Sequence, residues 1–180
     1  MKLVLFQTAP TAEVLPGLLV ERGVIDISRA VAKSYTPQLT MQGIIDDSDR
    51  LRPALETLAR NSDAIPHERV RLLPPLPRPG KILACIANYW EHAQREARPL
   101  NMFMKNPDAV VGPGDTIMLP EFTVPWIFMH EAELALVISG PAKMVKAKDW
   151  KSAVFGYTAM IDVSAREQGR RTWPATPLTS

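Results

Sequence analysis

Three acidic residues sit in apolar text where acids are costly. The run Glu131-Ala132-Glu133-Leu134-Ala135-Leu136-Val137-Ile138 is dense in branched and apolar residues and predicts a strand buried on at least one side. Side chains alternate along a strand, so Glu131 and Glu133 share a face with Ala135 and Val137. Two ionised carboxylates on such a face repel each other and lose hydration worth several kcal/mol unless something positive compensates. A third acid, Asp162, lies in Tyr157-Thr158-Ala159-Met160-Ile161-Asp162-Val163, one short helix later, on a strand that could return beside the first. Three carboxylates with no cysteine, and no histidine at helical ligand spacing, select a hard cation: magnesium first, then manganese or calcium, and not zinc. The bland alternative is an edge strand carrying Glu131 and Glu133 on its solvent face.

Short elements must position these acids. Lys2 to Gln7 predicts a strand. Gly17 to Val20 and Val24 to Ile27 predict a hairpin in which Gly23 supplies a positive φ. Ile44, Ile45, Leu51, Leu55 and Leu58 recur at helical spacing, so one or two short helices fill 41–60, with Pro53 tolerable only near a helix start. The proline-rich text from Arg71 to Gly80 cannot be a central strand or a helix interior and marks a domain boundary. After it come strands at Lys81 to Ile86 and Met102 to Lys105, a helix over Tyr89 to Glu96, and a Gly112-Pro113-Gly114-Asp115 turn. Thr116 to Leu119 is extended, and Ala147 to Val154 is helical. The fold class is mixed α+β and rich in sheet.

The whole chain's composition narrows the function classes. Of 180 residues, 46% are hydrophobic and 22% charged, with a formal net charge of only +2, which suits an ordinary soluble globular protein and argues against a nucleic-acid partner. The one cysteine, Cys85, cannot form an internal disulfide and reads as a small buried hydrophobe in a reducing compartment. The N-terminus lacks the pattern of a signal peptide, and no apolar run is long enough to span a bilayer. A cytoplasmic location with no membrane partner is expected.

Several motifs fall in a recognisable order: Arg78-Pro79-Gly80-Lys81-Ile82, Asn88-Tyr89-Trp90-Glu91-His92-Ala93, Phe103-Met104-Lys105, Val111-Gly112-Pro113-Gly114-Asp115, Glu131-Ala132-Glu133-Leu134 and Gly156-Tyr157-Thr158 with Asp162-Val163-Ser164-Ala165-Arg166. Together, from about Pro77 to Trp173, they resemble the fumarylacetoacetate hydrolase family. Residues 1–73 resemble the small N-terminal domain of its shorter bacterial members. The resemblance implies a linker at 74–80 and, from 81 to 180, the N-terminal part of a β-roll or barrel catalytic domain. It also implies that Glu131, Glu133 and Asp162 bind magnesium, that His92 acts with a carboxylate as the base activating water, and that Arg166 holds the developing oxyanion. Lys105 is placed near the substrate pocket. Taken alone, His92 reads as a surface or cap histidine and Arg166 as a surface ion-pairing arginine.

The implied activity is metal-dependent cleavage of carbon–carbon bonds in small 1,3-dicarbonyl or 2-oxo acids of the acylpyruvate type, by a homodimer if the fold is completed. Isomerase or decarboxylase activity on hydroxymuconate-type acids or oxaloacetate belongs to the same family. Three features depart from the pattern. Arg95, followed by Glu96, stands where close relatives place the dyad glutamate, and Gly169, preceded by Gln168, stands where many carry a glutamine. After Trp173 the chain ends without the family's lysine-bearing segment and its further strands. A truncated chain of this kind is expected to expose strand edges and apolar surface, and an inactive remnant or interaction module is the alternative function.

Overall fold

The computed structural model describes residues 1–86, 89, 101–119 and 126–167, the side chains of 126, 166 and 167 excepted. The chain forms two compact units, Met1–Thr116 and Ile117–Ser180.

In the first unit, β1 (Lys2–Gln7), β2 (Leu15–Val20), β3 (Gly23–Asp26) and β4 (Arg71–Leu73) form one antiparallel sheet in the order β3-β2-β1-β4. The β2–β3 reversal depends on Gly23, whose φ is 137°. A Cβ there would lie 2.0 Å from the carbonyl oxygen of Ile65, because Val24 and Ile65 exchange backbone hydrogen bonds of 2.8 Å in each direction. Only glycine combines that φ with so close an approach. The Pro-rich text beyond Leu73 leaves β4 short and at the sheet edge, where a missing ladder partner is tolerated.

Helix α1 (Pro37–Asp46) begins with Pro37 in its first turn and with the Thr36 hydroxyl accepting the Leu39 N–H at 3.2 Å, the expected N-cap chemistry. Helix α2 (Ser48–Asn61) follows at once. Pro53 stands well inside α2 rather than near its start. It survives there because it and Asp49, whose carbonyl it cannot serve, are both on the exposed face, so water replaces the lost donor. Met41, Ile44, Leu51 and Leu55 pack against Leu5, Leu18, Ile25 and Ile27 of the sheet region in one buried cluster. On the other face Phe6 and Val24 are fully buried, both beside Gly17.

The same unit contains a two-stranded antiparallel ladder, β5 (Ile82–Cys85) with β6 (Met102–Lys105). The Gly112–Asp115 turn forms as expected, with Asp115 N–H donating to the Gly112 carbonyl at 3.1 Å and Gly114 at φ 80°. Charged side chains tie this part to the sheet and helices. Arg71 of β4 pairs with Asp115, Arg78 pairs with Asp108 at 2.5 Å, and the Arg78 N–H donates to Gln38 Oε1 of α1 at 2.9 Å. Thr116 to Leu119 belong to no strand.

The second unit is built on one long antiparallel ribbon, β7 (Trp126–Ile138) with β8 (Val154–Glu167), its strands 13 and 14 residues long. A 3-10 helix at Ala147–Ala153 precedes β8. The sequence prediction of a strand starting at Glu131 was too short: β7 begins five residues earlier, at Trp126. Among the described residues no helix is long and apolar enough to cross a membrane.

Candidate functional site

The ribbon brings the acids to one place by register. Glu131 stands directly opposite Asp162, and Glu133 opposite Met160. Direct partners in an antiparallel pair have Cβ atoms about 4.5–5.5 Å apart and diagonal ones about 7–8 Å, so Glu131, Glu133 and Asp162 occupy adjacent positions of one face. The register is continuous from Trp126↔Glu167 to Val137↔Gly156 and shifts only beyond Val137. This irregularity adds Phe155 to β8 after the acids are already aligned.

The two faces differ in an unexpected way. The acid-bearing face, with Ala135, Val137, Thr158 and Met160, is half-buried, and Asp162 is only 8% exposed. On the opposite face Leu134 is 62% exposed, Tyr157 57% and Ile161 57%. The acids therefore do not occupy the more exposed face of the ribbon, against the bland alternative, and the one side expected to be covered is the side that carries them. His130, opposite Val163, lies on that other face and is no partner of the acids.

Glu131 is held from the opposite strand. Ser164, two residues beyond Asp162, has its hydroxyl donating to Glu131 Oε2 at 3.0 Å, with the Asp162 carbonyl oxygen farther off at 3.4 Å. Ser164 escaped the sequence reading, although alternation alone places it on the face of Asp162. The side chains as they stand do not form a closed ligand shell: among the described residues no three His, Cys, Asp or Glu side chains are grouped to hold a metal ion. The donor set nonetheless fits a hard divalent cation. Among the described residues Glu131, Glu133 and Asp162 present three carboxylates on one half-buried face, and carboxylate oxygens are the donors that such an ion takes, at metal–oxygen distances of about 2.0–2.6 Å.

The remaining predicted residues are placed unequally. Lys105 ends β6 in the first unit, opposite Ile82, with its Nζ 5.6 Å from the ring centroid of Phe103 on the same strand face. Arg166 is described only through its backbone pairing with Ile127. His92, Arg95 and Glu96 lie outside the described residues, as do the expected helix around them and the segment with Gln168 and Gly169.

Comparison with known proteins gives this geometry a context. The family model for the fumarylacetoacetate (FAA) hydrolase C-terminal domain matches residues 81–178. A mitochondrial oxaloacetate tautomerase of Xenopus laevis is 33% identical over 178 residues, covering 93% of this chain and 53% of its own length. Among solved structures, maleylpyruvate hydrolase from Sphingobium sp. SYK-6, in complex with manganese(II) and pyruvate, is similar at a TM-score of 0.78 and 30% identity, covering 94% of this chain and 60% of that one. The 5-carboxymethyl-2-hydroxymuconate delta-isomerase of Mycobacterium smegmatis is similar at a TM-score of 0.60 and 26% identity, over 91% of this chain and 55% of that one. The chain thus spans little more than half the length of these relatives. The mixed, sheet-rich architecture and the match over 81–178 agree, and the chain belongs to the fumarylacetoacetate hydrolase family.

Proposed function

We propose that this chain carries the metal-binding part of an enzyme acting on small oxo acids, with Glu131, Glu133 and Asp162 as ligands of one divalent cation, magnesium first and manganese or calcium as alternatives. The observation that carries this reading is the direct register of Glu131 with the buried Asp162 on the face they share with Glu133. Like charges directly opposite one another destabilise a ribbon, and a hard cation between them reverses the sign of that term. The manganese(II) and pyruvate bound to the maleylpyruvate hydrolase neighbour support both the kind of ion and the kind of ligand.

In this reading residues 1–73 are a small N-terminal domain, 74–80 a linker and 81–180 the first part of the catalytic domain. The chemistry that such a cation supplies when bound is Lewis-acid polarisation of a chelated 1,3-dicarbonyl or 2-oxo acid. The three carboxylates fix its position on the β7–β8 ladder. His92 is the general base that takes a proton from the attacking water, and Arg166, on the strand of Asp162, offsets the negative charge that develops on the substrate oxygen. Lys105 contributes a cation to the substrate pocket. The reaction is hydrolytic cleavage of a carbon–carbon bond in an acylpyruvate-type acid, in a homodimer of the completed fold located in the cytoplasm. An inactive remnant or interaction module remains the alternative from another class.

A second reading has its own support. The oxaloacetate tautomerase of Xenopus laevis aligns with 93% of the chain, and the isomerase neighbour has the same fold, so keto–enol proton transfer on oxaloacetate is the competing reaction. Ultraviolet absorbance separates them: loss of acylpyruvate absorbance with release of two acids marks the hydrolase, and accelerated decay of enol-oxaloacetate without new products marks the tautomerase. Absence of both in a folded, magnesium-loaded chain overturns catalysis by this chain, and unchanged manganese binding in Glu133→Ala overturns the ligand assignment.

A further inference from the structure

We infer that Ser164 is the positioning residue of the acid pair, setting the carboxylate of Glu131 for cation binding; this rests on the ligand assignment proposed above. Ser164 stands opposite Met129 in the ribbon, two residues beyond Asp162, and is therefore diagonal to Glu131 on the acid-bearing face. Its hydroxyl reaches across the strands to Glu131 Oε2 at 3.0 Å, within good hydrogen-bond geometry, while the contact with the Asp162 carbonyl at 3.4 Å is long.

The physical need is specific. A glutamate has three side-chain torsions, and one that faces an aspartate directly is pushed by repulsion away from the place where both must meet a cation. A hydroxyl donor at the diagonal position opposes that push. It ties one carboxylate oxygen, fixes the plane of the group, and adds no cation that would compete with the metal. Lysine or arginine at this position would pair with the carboxylate and displace the ion instead. Serine is also a small side chain for a half-buried position beside the acids. Groups that orient a ligating carboxylate in this way usually account for about 10–100-fold in metal affinity.

The test is manganese binding by the whole chain, read as loss of the free-ion electron paramagnetic resonance signal, together with melting in chelator. Ser164→Ala is expected to weaken manganese about 10-fold or more while leaving the chelator melting curve close to wild type. Ser164→Thr keeps the hydroxyl and restores affinity, and its isostere Ser164→Val does not. The Thr and Val pair decides the matter even if the alanine variant folds poorly, because the two differ only in the hydroxyl. Glu131→Ala separates two kinds of failure. If Glu131→Ala loses manganese while Ser164→Ala or Ser164→Val binds like wild type, the positioning role is overturned and the ligand assignment stands. If Glu131→Ala binds like wild type, or the wild type takes up no manganese, the ligand assignment fails and the role of Ser164 fails with it.

Discussion

The N-terminal sheet and the β7–β8 ribbon are both antiparallel and both rich in Leu, Ile and Val, yet one is closed and the other open. In the first, Leu5, Leu18 and Ile25 of the sheet and Ile44 and Leu55 of the two helices are almost entirely buried against one another. In the second, Leu134, Leu136, Ile138, Tyr157 and Ile161 are all exposed. Apolar content alone therefore does not determine burial; a second layer does. A two-stranded ribbon is marginal in water without such a layer, so the stability of this chain is concentrated away from its candidate site.

The sharpest way to break this contrast is a pair of matched truncations. Leu55→Ala should cost about 2–5 kcal/mol because it opens a cavity in a packed cluster, whereas Leu136→Ala on the ribbon should stay within about 0.5 kcal/mol. Denaturant unfolding measures both. Equal losses would mean that the outward face of the ribbon is covered in solution.

Metal binding should narrow the gap from the other side. With magnesium at about a hundred times its Kd, the site gains roughly 2.7 kcal/mol. Amide exchange should slow along β7 and β8 while β1 and β2 stay unchanged, and Glu133→Ala should abolish the slowing. A uniform change across both regions would show that the ion acts somewhere other than the ribbon.

Gly23→Ala tests how much of the closed region depends on one backbone conformation. Its φ of 137° and the Ile65 carbonyl 2.0 Å from any added Cβ predict a loss of about 1–3 kcal/mol, seen as a lower melting temperature with no effect on metal binding. This reversal was legible in the sequence, since glycine between two branched runs announces a turn. The Val24–Ile65 pairing that makes it obligatory was not, because it joins residues far apart in the chain. The candidate site divides in the same way. Alternation correctly put Glu131 and Glu133 on one face, but the pairing of Glu131 with Asp162 depends on a register that the spacing of the two strands leaves open, and the extra Phe155 beyond Val137 has no signal in the pattern. The two-residue step from Asp162 to Ser164 was readable from alternation, but its hydrogen bond to Glu131 was not, because that depends on the cross-strand register. Alternation tells which residues share a face, and only the rest of the fold tells which face is covered: the side with the acids is half-buried while Leu134, Tyr157 and Ile161 on the other are exposed.

The smallest expected effect concerns the turn that ends the closed region. Asp115 accepts the Gly112 N–H at 2.8 Å and pairs with Arg71 of the edge strand. First the backbone donor and then the guanidinium hold its carboxyl below the usual carboxylate value. A folded pKa below the unfolded one, which is about 3.9, means the contribution is fully present above about pH 4 and is lost as pH falls through the folded value. Asp115→Asn should therefore be slightly less stable than wild type at neutral pH, and the difference should shrink on acidification below about pH 4. Melting temperatures of the two proteins from pH 7 to pH 3 measure this. A constant difference over that range would mean that the turn is held by the shape of Gly112 against Pro74, where an added Cβ would come within 2.8 Å, and not by the charge of Asp115.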